Sequence, residues 1–137
     1  MSIRLRPDLK EQLERRARER GTSAAALYER FVDEGIRRDD HPLIFFRDGA
    51  GGRRATLLGT RLSVAQVIET IEAADSGSMA DRIKEAAEYL EIPVGQVQAC
   101  VHYYVAYKDE VDEWRHRVAE IAERERAAWQ REQAVFA

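Results

Sequence analysis

The chain has 137 residues, 45% of them hydrophobic and 34% charged, which is enough for one ordinary domain or two very small ones. No apolar run is long enough for a transmembrane helix, the arginine-bearing start lacks the apolar stretch of a signal peptide, and the single cysteine, Cys100, excludes an internal disulfide framework and suits a reducing cytoplasm. The net charge of -3 argues against a general nucleic-acid coat protein, but residues 1–20 hold seven basic groups against four acidic ones, whereas residues 107–137 hold six against eight.

Residues 2–6 alternate polar and apolar, which predicts a short strand with Ser2, Arg4 and Arg6 on one side and Ile3 and Leu5 on the other. Pro7 and Asp8 suit the first turn of a helix whose stripe is Leu9, Leu13 and Ala17 and whose end is Gly21. Thr22 or Ser23 can cap a second helix with Leu27, Tyr28, Phe31 and Val32 on its apolar face, broken at Asp39-Asp40-His41-Pro42. Two β-rich runs, 43–47 and 54–58, flank a glycine-rich tip and predict a hairpin. Although Arg53 and Arg54 adjoin that tip, the Gly-Lys-Ser/Thr ending and following helix of a nucleotide-phosphate loop are missing. Ser63 and Gln66 form a capping-box pattern ahead of Val64, Val67, Ile68 and Ile71. Ser78 heads the next helix, and Pro93 opens a third after a tight connection, a helix-turn-helix silhouette. Residues 107–133 lack Gly and Pro and carry a heptad seam of Tyr107, Val111, Trp114, Val118 and Ile121, with Trp129 and Phe136 beyond it.

A lone strand of five residues has no hydrogen-bonding neighbour, and the first two helices offer too few apolar groups for a core of their own. Both problems vanish if two copies pair. The strand then meets its symmetry mate, Ile3 and Leu5 turn onto four helices, and Ser2, Arg4 and Arg6 point outward on a ribbon that fits the DNA major groove, where arginine reads guanine O6 and N7. Residues 2–38 thus resemble the ribbon-helix-helix family of DNA-binding regulators. The resemblance implies that the ribbon's outward side chains touch bases and that the start of the second helix, at Thr22 and Ser23, grips a phosphate.

A second resemblance follows from His41-Pro42, the hairpin, Gly59-Thr60-Arg61, Ser63 and the Val/Ile-rich stretch 64–71. This pattern resembles domain of unknown function 433, a helix-turn-helix-like module of VapB-type antitoxins, and runs to about residue 106. The chain departs from it at the looser hairpin tip and at Ile92, where a Thr or Ser cap is usual before Pro93. The expected architecture is therefore mainly α, in three parts. They are a ribbon-helix-helix domain (1–40), a module of a β-hairpin and three helices (41–106) and a long C-terminal helical extension (107–137).

In the middle part, Arg61 can reach a phosphate or pair with Glu69 or Glu72. Gln96, Gln98 and His102 fall on the outer side of the recognition-type helix, where glutamine suits adenine edges. His41, His102 and His116 have no Cys or carboxylate at ligand spacing, so neither a metal nor another cofactor is expected. Cys100 lies among Val97, Val101 and Tyr104 as a core residue, and with no catalytic set in view the chain reads as a binding protein rather than an enzyme. The reading is a cytoplasmic homodimeric regulator that binds double-stranded operator DNA and no membrane. The resemblances imply an antitoxin that represses its own operon and covers a PIN-like ribonuclease toxin with Tyr107, Val111, Trp114, Val118, Ile121 and Trp129. The rivals are a regulator or segregation protein without a toxin, whose C-terminal helices zip the dimer, and a scaffold that binds no DNA.

Overall fold

The structure, a computed structural model, describes residues 2–75 and 77–137. It is mainly helical, with one small antiparallel sheet: α1 (Pro7–Glu19), α2 (Ala24–Asp40), β1 (Ile44–Arg47), β2 (Arg54–Leu57), α3 (Val64–Glu72), α4 (Met79–Leu90), α5 (Val94–Ala106) and α6 (Lys108–Val135). The chain divides into two compact units, Met1–Asp40 and His41–Ala137.

In the first unit, residues 2–6 belong to neither helix nor strand. Pro7 begins α1, and its end is closed by Gly21 at φ +66°, whose N–H bonds to the Arg18 carbonyl while that of Thr22 reaches Ala17. Ser23, rather than Thr22, caps α2: its Oγ accepts the Ala26 N–H at 3.1 Å. Only Ala17 and Leu27 of the two helices are buried, while Leu9, Phe31, Val32 and Ile36 stay exposed. The apolar stripes are therefore present, but what lies between them is too thin to be a core.

The second unit has a core of its own. Ile44 and Leu57, directly opposite in the β1–β2 ladder, join Val64, Val67, Ile68, Ile71, Ala86, Ala87, Val97, Cys100, Tyr103 and Val111. The turn into α3 is built locally. Gly59 takes φ +79°, which an L side chain rarely adopts, and lets the Thr60 N–H reach the Leu57 carbonyl. Thr60 Oγ1 donates to that same carbonyl and accepts the Leu62 N–H, and Ser63 and Gln66 close the capping box. The connection from α4 to α5 places Glu91 in the left-handed region, φ +57°, where glycine is the usual occupant.

Residues 107–137, expected as a C-terminal helical extension, fall with α6 inside the second compact unit. The seam was expected to await a toxin or to zip the dimer, but its first half is covered by the chain itself. Val111 is buried in the core, and Tyr107 and Trp114 pack against it. At the hairpin tip Gly51 lies so close to α6 that a Cβ there would stand 2.7 Å from Val118 Cγ2 and 2.8 Å from Trp114 Nε1, and Arg117 Nε donates to the Gly51 carbonyl at 3.1 Å. Apolar surface costs about 25 cal/mol per Å² to leave in water, and this half of the stripe is covered by α3, α5 and the hairpin together.

Candidate nucleic-acid interface

In the first unit Ser2, Arg4 and Arg6 are all exposed on the N-terminal arm. Arg6 lies 3.6 Å from Asp8, an open pair of little energetic weight. Arg4 and Lys10 border one open cleft of about 700 Å³ together with Ala24 and Ala25, the first turn of α2. Two cationic side chains and one carboxylate, Glu14, thus share a hollow with a helix N-terminus, whose first N–H groups carry the positive end of the dipole. Thr22 and Ser23, just before that turn, are exposed, with the Ser23 hydroxyl committed to its cap.

The site residues expected in the second unit are less concentrated. Arg61 is exposed and makes no ion pair with Glu69 or Glu72, because both belong to Arg115 on α6. Arg115 Nη2 lies 2.6 Å from Glu72, Nε 3.4 Å from Glu69, and Nη1 3.1 Å from Asp112. Its half-buried guanidinium is thereby held even more firmly protonated than usual, first by the Glu72 hydrogen bond. Asp112 also accepts from Lys108 at 2.7 Å and Tyr104 at 2.8 Å, and the Lys108 bond above all holds its carboxyl below the ordinary aspartate range. These bonds tie α6 to α3 and α5, and it is the packing of α6 against α3, not any local spacing, that selects Arg115 for the role.

On α5, Gln98 and His102 are exposed and one turn apart, while Gln96 is half-buried. The rest of the open face is apolar, with Val94 40% and Val105 73% exposed, and α5 contains neither Lys nor Arg. His102 packs against His41, with ring centroids 4.8 Å apart. Such a helix can offer neutral hydrogen bonds to base edges or to a phosphate, but no Lys or Arg charge. Burial raises the Cys100 thiol to about 12, so it stays protonated and unreactive at neutral pH. Among the described residues there is no group of three His, Cys, Asp or Glu able to hold a metal ion, and no helix long and apolar enough to cross a membrane.

The cations that sequence reasoning passed over lie on the hairpin. Arg47 and Arg54 face each other directly in the β1–β2 register. Period-two alternation, carried across the ladder, was the signal that would have paired them. No protein-family model matches the chain, and neither a curated protein nor a solved structure matches it.

Proposed function

We propose that the chain is a DNA-binding transcriptional regulator that acts as a homodimer through its N-terminal unit, with residues 2–6 of two copies forming the ribbon that enters the major groove. One observation carries this reading: the unit leaves an apolar face uncovered beside an arginine-bearing arm. Leu5, Leu9, Leu13, Tyr28, Phe31 and Val32 line an open groove, and Ile3 and Ile36 are 63% and 59% exposed. Covering Ile3, Leu9, Phe31, Val32 and Ile36 recovers on the order of 1 kcal/mol for each, and a symmetric pair does so twice. That gain is of the size of the association cost, roughly 4–15 kcal/mol, and the ribbon's main-chain hydrogen bonds add to it.

On this reading Ser2, Arg4 and Arg6 read bases, while the start of α2 at Thr22 and Ser23 holds a phosphate. The antitoxin role is the narrower form of the proposal, and its toxin surface moves outward. With Tyr107, Val111, Trp114 and Val118 engaged by the chain itself, the groups left for a PIN-like ribonuclease are Ile121, Trp129 and Val135 of α6 and Phe136 just beyond it; Ile121 is half-buried and the other three are 58%, 77% and 89% exposed.

Sedimentation and a mobility-shift assay on DNA selected from a random pool test the proposal. The wild-type chain should sediment as a dimer and select a sequence. Leu5→Asp should abolish both, and joint Arg4→Ala and Arg6→Ala should keep the dimer but lose the preference, since each guanine contact is worth roughly 1–3 kcal/mol. A monomeric wild-type chain, or selection that survives loss of both arginines, would overturn the ribbon.

A further inference from the structure

We infer that the hairpin of the second unit is a DNA-backbone clamp, with Arg47 and Arg54 as its two phosphate ligands; this rests on the DNA-binding reading of the first unit. The two residues stand directly opposite each other at the end of the β1–β2 ladder. Like charges in that position repel, so the pairing weakens the hairpin unless an anion lies between them. Neither arginine has a carboxylate partner among the described residues. Their neighbour Arg53 differs, being 3.4 Å from Asp48.

Both guanidinium groups instead lie over aromatic rings. Arg47 is 5.1 Å from the centroid of Phe45 and Arg54 5.9 Å from that of Trp114. Such a contact orients a guanidinium for bidentate phosphate binding; exposed Arg47 presents the freer N–H edge, whereas half-buried Arg54 also lies against Gly49 at the tip. The hairpin's charge also runs against its surroundings. Residues 44–57 hold three bases and one acid, in a unit where residues 41–137 hold twelve bases and sixteen acids. α5 offers no Lys or Arg, so within this unit the opposed hairpin pair, with exposed Arg61 on the turn that follows, is where cations gather to meet phosphates. α2 ends at Asp40 and the second unit starts at His41, so the two units are joined without an intervening linker.

The salt dependence of binding to a mixed-sequence duplex of about 40 base pairs tests this, between about 50 and 200 mM salt. Each phosphate contact contributes about 0.9 to the slope of log K against log salt, so joint Arg47→Gln and Arg54→Gln should lower the slope by about 3 to 4 per dimer. Lysine at both positions should restore most of it. Arg47→Gln alone, at an exposed site whose substitution spares the Trp114 contact, should lower the slope by about half as much. A slope unchanged in Arg47→Gln and in the double variant, while loss of Arg4 and Arg6 weakens binding, overturns the clamp and leaves the ribbon standing. A wild-type chain that does not bind the duplex at the lowest salt overturns both.

Discussion

Gly51→Ala tests whether the first half of α6 is bound to its own hairpin or waits for another protein. The new Cβ would stand 2.7 Å from Val118 Cγ2, 2.8 Å from Trp114 Nε1 and 3.2 Å from Trp114 Cδ1. Ordinary contact begins near 3.4 Å, so the tip or the helix must yield by more than half an ångström. Neither side gives easily: Trp114 packs on the core and under Arg54, and the Gly51 carbonyl is held by Arg117. Overpacking of this kind costs about 1–3 kcal/mol. In a domain of this size each kcal/mol lowers Tm by about 4–8 °C, so a cost near 2 predicts a fall of about 8–16 °C. Thermal melting by circular dichroism measures it, and tryptophan emission should move to the red as half-buried Trp114 is uncovered beside the already exposed Trp129. Val118→Ala in the same chain removes the nearest clash, so the double variant should lose less than the two single losses added together. A Gly51→Ala chain that melts within about 1 °C of wild type, with additive behaviour at Val118, would refute the contact and return Trp114 and Val118 to an external partner.

Two further outcomes follow from single residues. Glu91→Gly should stabilise the second unit by about 1 kcal/mol in a denaturant titration, because glycine relieves the left-handed backbone at φ +57°; a loss of stability would mean that the Glu91 side chain contributes more than the strain removes. For Cys100 the folded thiol titrates at about 12 against 9.0 for an ordinary one, so the folded state is favoured below pH 9 and progressively loses up to about 4 kcal/mol as pH rises from there toward 12. Cys100→Ala should flatten that alkaline limb while losing some stability at neutral pH, and an identical limb in the variant would show that another group causes it.

What could be read in the sequence was what neighbouring residues settle among themselves. The Ser63–Gln66 box, the stop at Gly21, the hairpin and the inward row Val64, Val67, Ile68 and Ile71 each depend on residues within a turn or two. Pairings across the chain were hidden. Glu72 is claimed by Arg115, 43 residues away, rather than by nearby Arg61, because α6 folds back onto α3. The seam showed that a stripe must be covered but not by what, since heptad spacing is the same whether the cover is a toxin, a twin helix or a Gly51-tipped hairpin. Arg47 went unremarked and Arg54 was weighed only as a neighbour of the glycine-rich tip, because an opposed pair exists only once strand register is fixed.

The two units face different energetic problems, and this bears on how the protein would respond to its own concentration. The second unit closes over Leu57, Val67, Val97, Cys100 and Tyr103, each fully buried, and its stability belongs to one chain. Among its described residues the first buries only Ala17 and Leu27, and it exposes Ile3, Leu9, Phe31, Val32 and Ile36. If a second copy covers that surface, folding of the first unit becomes a mass-action equilibrium, and the arginine-bearing ribbon exists only where the chain is abundant enough to pair. A regulator built this way would sense its own abundance through the folding of its DNA-reading part, with no ligand required. Dilution should then melt the first unit at a concentration-dependent temperature while the second unit's transition stays fixed, and two transitions that shift together would show that both units share one cooperative interface.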